Sequence, residues 1–283
     1  MDDWLNRRIY HPLARLLARA LVPTPVTPNM VSVAGGLLVA LAGIFYTQLS
    51  WPASALLGFA AHALWHVVDG ADGMLARLTG RASPIGELVD GVCDYASHMF
   101  LYTLLAVMLA ETIGLWAYPL VLFAGLSRIA QANHAESQRR IYLWRVAGVP
   151  WLKQSLAGGS EAVPDQGLFA RLFAPVGRLY VALAGTAGAV SAEIDAAVAR
   201  LSGDPASEAR ARTLCREAGR DTVAIHRWMG ANPRTVLLGL SMATGTSLWY
   251  FLLEVTFFNA FLIWSIARQR RSDLALAAEL ARR

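Results

Sequence analysis

Four aspartates interrupt two stretches that otherwise have the apolarity of membrane-buried helix. Asp69 and Asp72 lie in the string DGADGMLAR, and Asp90 and Asp94 in GELVDGVCD, with eight residues between the two strings. An ionisable group in hydrocarbon costs several kcal/mol even on lenient scales, so a chain carrying four must fold in a way that compensates them. Bound divalent metal is the simplest compensation. At about 100° per residue, Asp69, Asp72, Gly73, Ala76 and Arg77 share one broad helical face, and Gly86, Asp90 and Asp94 share another. Two consecutive antiparallel helices can therefore bring all four carboxylates together.

The surrounding composition fixes the solvent. Of 283 residues, 55% are hydrophobic and only 16% charged, which points to an integral membrane protein rather than a soluble enzyme. The net charge of +5 is carried almost wholly by arginine, since Lys153 is the only lysine. The arginines cluster at the ends of apolar runs, as suits a membrane surface, and there is no basic stripe interleaved with aromatics to suggest nucleic acid. Cys93 and Cys215 stand far apart without a CxxC, which argues against a disulfide framework or structural zinc. The first residues lack the apolar stretch and small-residue cleavage site of a secretory signal, so the first spanning helix is expected to direct insertion.

The pattern predicts an all-α integral membrane protein, a six-transmembrane-helix bundle with an N-terminal interfacial amphipathic helix. Residues 1–28 hold that helix and a linker: Trp4, Leu5, Tyr10, Leu13, Leu16, Leu17 and Leu21 alternate with Arg7, Arg8, Arg15 and Arg19, and Pro23, Pro25 and Pro28 end it. Residues 29–135 are expected to form four spans, at about 30–49, 53–78, 84–110 and 115–132, including the aspartates. Residues 136–226 read as a cytoplasmic or interfacial helical insertion, with a linker at Gly158-Gly159-Ser160 and Pro164 and a mixed-charge, helix-prone stretch from Glu193 to Arg220. Residues 168–190 are apolar, but Arg171, Arg178, Gly185 and Gly188 argue against a span. Residues 227–283 are expected to supply the last two spans, broken at Thr244–Ser247 with the second running from Leu248 to about Ile266, and a basic tail. With six spans the arginine-rich N-terminus, the loop after the fourth helix and the Arg268–Arg271 tail fall on one side, which the positive-inside rule makes cytoplasmic. A bacterial inner membrane, with the aspartates toward the cytoplasm, is the expected location.

Oxygen ligands suit Mg²⁺ or Mn²⁺, and two such ions can clamp a pyrophosphate while stabilising its entering and leaving oxygens. Gly73 and Gly86 would let a nucleotide or a neighbouring backbone approach closely, and Arg77 is the natural phosphate ligand. The bland alternative pairs the four acids with Arg77, Arg81 and Arg128 merely to hold the bundle. Unexplained charge is rare in membrane helices, which weighs against it.

The string Asp69-x-x-Asp72-Gly73-x-x-Ala76-Arg77-x8-Gly86-x-x-x-Asp90-x-x-x-Asp94 resembles the signature of the CDP-alcohol phosphotransferases, with every fixed position and the intervening spacing present. The resemblance covers residues 69–94. It implies a six-helix membrane enzyme of phospholipid or sphingolipid synthesis that passes a substituted phosphate from a CDP-alcohol donor to the hydroxyl of a lipid or polyol acceptor, releasing CMP. It also implies two metal ions held by Asp69, Asp72, Asp90 and Asp94, with Asp94 the base toward the acceptor hydroxyl. Gly73 and Ala76 would pack by the cytidine, and Arg77 would contact phosphate. A homodimer among membrane lipids is implied as well. More locally, Ser83-Pro-x-Gly-Glu-Leu and Cys93-Asp94 are similar to the branch using CDP-choline or CDP-ethanolamine, though positions after Asp90 depart from it in part.

Outside the signature, Asn29 in Thr27-Pro-Asn resembles an element that recurs before the family's first span, and helix capping explains it equally well. Arg128, near the end of the fourth helix, would hold a lipid phosphate or the donor pyrophosphate, or else anchor the helix at the interface. His66, three residues before Asp69, and His98, four after Asp94, would orient a ligand or metal-bound water, or be satisfied by packing. Two rivals stand against the phosphotransferase. A metal-dependent membrane prenyltransferase would need an Asn-Asp-x-x-Asp-type motif and a distant second acidic motif, neither of which is present. A transporter using intramembrane aspartates would leave the glycine and arginine spacing unexplained.

Overall fold

The computed structural model describes residues 4–148, 190–201 and 203–282. Among these the regular structure is helical throughout. The expected linker at 158–164 and the apolar stretch 168–189 lie outside the described residues.

A helix begins at residue 4, passes through a π-helical stretch at Asn6–Tyr10 and continues as α1 (His11–Leu21). Then come α2 (Pro28–Gln48), α3 (Ala53–Leu78), α4 (Pro84–Ile113) and α5 (Ala117–Ala147), with a 3₁₀ turn at Gly114–Trp116 between the last two. After the undescribed segment follow α6 (190–201), α7 (Pro205–His226), α8 (Ala231–Ala243), α9 (Leu248–Val255) and α10 (Phe257–Ala281). Several boundaries carry local signals. The Thr27 side chain accepts the Met30 amide at the start of α2, that of Ser83 accepts the Gly86 amide at the start of α4, and that of Asp204 accepts the Ser207 amide at the start of α7.

Among the described residues, three helical stretches are long and apolar enough to cross a membrane: Pro28–Gln48, Ile85–Ala147 and Leu248–Ala281. This is not the expected count of six. The 63-residue middle stretch contains both α4 and α5. At 26 residues α3 has the length, but His62, His66, Asp69 and Asp72 reduce its apolarity. Two expected helices also end elsewhere. The fourth, expected to stop near 132, runs to Ala147, because Arg139 and Arg140 pair with Glu136 at 2.7 and 2.8 Å and sustain the helix after its apolarity fades. The last, expected to run unbroken to about Ile266, is interrupted at Thr256 and resumes to Ala281.

The chain divides into two compact units, one of residues up to 125 with Ala231–Val255, the other of the described parts of 126–230 and 256–282. In the first, α2 packs against both α3 and α4. Its glycines permit the approach: a Cβ at Gly36 would lie 3.4 Å from the Cys93 carbonyl oxygen, and one at Gly43 3.2 Å from Leu101 Cα. Tyr10, Ala14 and Ala18, one stripe of the N-terminal helix, meet Val67, Ala71 and Leu75, one stripe of α3. The opposite face leaves Trp4, Ile9, Leu13 and Leu16 exposed beside Arg7, Arg8, Arg15 and Arg19. A larger cluster joins Tyr46, Trp65, Leu105, Val121, Leu238 and Phe251. A Cβ at Gly58 would overlap the buried Tyr46 ring, 2.6 Å from its Cε1. Gly58→Ala is therefore expected to cost about 1–3 kcal/mol by overpacking, read as a lowered thermal unfolding midpoint in detergent.

In the second unit Ile194, Ala197 and Val198 of α6 pack with Ala211 and Cys215 of α7 and Leu276 and Leu280 of α10. Buried Arg145 of α5 ties three helices, reaching Asp195 at 3.0 Å, Asp273 at 3.4 Å and the Ser191 hydroxyl at 2.7 Å.

Candidate active site

Asp69 and Asp72 sit one turn apart on α3, and Asp90 and Asp94 one turn apart on α4. One oxygen each of Asp69, Asp90 and Asp94 lies within 4.8 Å of the others, and all three residues are half-buried. Asp72 is set deeper, at 6% exposure, and is engaged differently. The Ser32 hydroxyl on α2 donates to its Oδ2 at 2.6 Å, and its carboxyl lies within hydrogen-bonding range of Asp90. All four aspartates thus meet where α2, α3 and α4 come together.

Such a gathering of like charges is costly unless a cation or protons offset it. The donor set is all oxygen, comes from two helices and is spaced closely enough to surround one ion, which fits a hard divalent cation such as Mg²⁺ or Mn²⁺. Sulfur is not part of the cluster, although Cys93 is its sequence neighbour.

The remaining residues of the signature fall around this cluster. Arg77, exposed, folds back along α3 so that its Nη1 would lie 3.5 Å from a Cβ at Gly73. Asn29, in the first turn of α2, brings its Oδ1 within 3.7 Å of where a Gly86 Cβ would stand, so the N-terminal turns of α2 and α4 are neighbours. Ala76 is half-buried on α3. Arg128 is half-buried on α5 and belongs to the second compact unit.

The two flanking histidines serve the scaffold. His66 stacks on Tyr10 with ring centroids 4.8 Å apart, and its Nε2 lies 2.9 Å from the Thr235 hydroxyl on α8. His98 Nδ1 lies 2.9 Å from the Asp94 carbonyl oxygen, an acceptor only, so this nitrogen carries the proton. Two contacts to the carboxylates had no place in the expected site. Ser32, in the first turns of α2, donates to Asp72. Trp65 donates its indole N–H to Asp94 Oδ1 at 3.1 Å. The available signal was position, since Trp65 lies one turn before Asp69 on the same helix.

These features define a polytopic helical membrane protein with an interhelical carboxylate cluster suited to metal. Residues 25–157 match the family described as CDP-alcohol phosphatidyltransferase. Over 110 residues it is 34% identical to the bifunctional IPC transferase and DIPP synthase of Thermococcus kodakarensis, covering 38% of this chain and 23% of that protein. Over 94 residues it is 33% identical to the archaetidylinositol phosphate synthase of Pyrococcus horikoshii, covering 33% of this chain and 47% of that protein. The chain therefore matches less than half the length of these relatives.

Proposed function

We propose that the protein is a membrane phosphotransferase of phospholipid synthesis that moves a substituted phosphate from a CDP-alcohol to an acceptor hydroxyl and releases CMP. The observation that carries this is the convergence of the Asp69, Asp90 and Asp94 oxygens within 4.8 Å between two helices of an apolar protein. Asp69, Asp72 and Asp90 hold divalent metal, and Asp94 both binds metal and takes the acceptor proton. Bound metal, two ions of Mg²⁺ or Mn²⁺, supplies charge neutralisation on the pyrophosphate. The acceptor oxygen attacks the phosphorus that bears the donor alcohol, and the bond from that phosphorus to the bridging oxygen breaks. CMP leaves with the bridging oxygen, and Asp94 receives the hydroxyl proton.

Gly73, Ala76 and Gly86 give the nucleotide room along α3 and at the start of α4. Arg77 binds phosphate, and Asn29 and Arg128 are assigned to substrate binding. The remaining architecture belongs to the same proposal: six spans with α3 counted among them, the aspartates toward the cytoplasmic side of a bacterial-type inner membrane, and a homodimer. The inositol phosphate in the name of the Pyrococcus relative favours a phosphorylated polyol among the acceptors to be tried.

Purified protein in detergent, given Mg²⁺ or Mn²⁺, is expected to release CMP from at least one member of a panel of lipid-linked and soluble CDP-alcohols. The panel is paired with polyol, phosphorylated polyol and lipid acceptors, and products are identified by mass. Chelation with EDTA is expected to abolish release. Protein that yields no CMP from any pairing overturns the assignment.

A further inference from the structure

One aspartate of the cluster is gripped by a side chain that the aspartate pattern does not include. Trp65 is 3% exposed, and its Nε1 lies 3.1 Å from Asp94 Oδ1, so α3 holds the last carboxylate of α4 directly. An indole nitrogen can only donate, which fixes the polarity of the bond. The ring is held on several sides. His98, one turn beyond Asp94, meets it edge-on with centroids 4.6 Å apart, and His66 lies 4.4 Å away. On the α2 side, Gly35 covers the pyrrole edge closely enough that a Cβ there would stand 3.5 Å from Cδ1. The donor therefore has one place to point. A carboxylate on a flexible Cβ–Cγ bond, bound through one oxygen to a fixed donor, loses its rotational freedom.

We propose that Trp65 is a positioning residue for Asp94: its indole N–H sets the carboxylate rotation so that Asp94 faces the metal cluster and the acceptor hydroxyl. This rests on the role given to Asp94 in the proposed phosphotransferase. Asp94 is the group that takes the acceptor proton in that scheme, so loss of the indole donor strikes the chemical step more than donor binding.

Two variants test this, Trp65→Phe and the isosteric Trp65→benzothienylalanine, which exchanges the N–H for sulfur and keeps the bicyclic ring. Removing an orienting partner of this kind is expected to lower kcat for CMP release about 10–100-fold. KM for the CDP-alcohol stays within about twofold, the signature of an interaction absent from ground-state binding. Unchanged kcat in the isosteric variant overturns the assignment. So does a rise in KM at unchanged kcat, which marks the indole as packing only. Should Trp65→Phe fail to fold, the isosteric variant decides. An inert wild type overturns the phosphotransferase reaction itself, whereas an active wild type with an unaffected isosteric variant overturns only the role of Trp65.

Discussion

Asp94→Asn is expected to lower CMP release at least about a hundredfold while leaving the fold intact, because a general base contributes 10²- to 10⁴-fold to a transfer of this kind. The substitution is isosteric. The amide oxygen can still accept the Trp65 N–H, so the contact between α3 and α4 survives. The negative charge and the ability to receive the acceptor proton are lost. Asp69→Asn removes an oxygen from the same cluster but no base, and its deficit is a weaker hold on metal. The two variants should therefore part company in a metal titration. Added Mn²⁺ restores part of the rate of Asp69→Asn by mass action and little of the rate of Asp94→Asn. CMP release followed by chromatography, with size exclusion and thermal unfolding as controls for folding, makes the comparison. Wild-type rates in both variants would remove the carboxylates from the chemistry.

That these four residues meet was legible because a helix repeats every 3.6 residues and because charge in apolar sequence demands a partner. The same logic placed α3, which runs from Ala53 to Leu78 as expected. It failed where apolarity was taken as the mark of a helix. The polar residues after Ala132 continue α5 through short-range Glu136–Arg pairs, and a hydropathy profile does not register them. Tertiary partners were also beyond reach. Arg145 meets Asp195 and Asp273 from 50 and 128 residues away, and Ser32 meets Asp72 across 40. Local pattern does not show which helices distant in sequence become neighbours. Trp65 illustrates the limit at the site itself: its periodicity places it on the aspartate helix, but only packing turns its N–H toward Asp94.

Glu254→Ala is expected to destabilise the protein by about 3–5 kcal/mol, the usual consequence of leaving one member of a buried ion pair behind. Arg234 on α8 and Glu254 on α9 are 1% and 0% exposed and lie 2.8 Å apart, across a turn closed by Gly245 at a φ of +85°. The pair links two short helices whose Leu238, Met242, Tyr250 and Phe251 share one apolar cluster. The Ser241 hydroxyl, which donates to the Thr246 carbonyl and accepts from the Tyr250 amide, adds a polar tie. Truncating Glu254 removes the carboxylate that lies 2.8 Å from the buried guanidinium. Replacing both partners, Arg234→Met with Glu254→Leu, removes the charge along with its counterion and should recover most of the lost stability. The effect should reach the reaction. Thr235, the residue after Arg234, meets His66 at 2.9 Å, and His66 lies three residues before Asp69 on α3. A displaced α8 therefore loosens the turn that presents the first aspartate. Thermal unfolding should rank wild type and double variant together above Glu254→Ala, and CMP release at a temperature where all remain folded should follow the same order. A Glu254→Ala protein that melts with the wild type would mean that the pair holds neither helix.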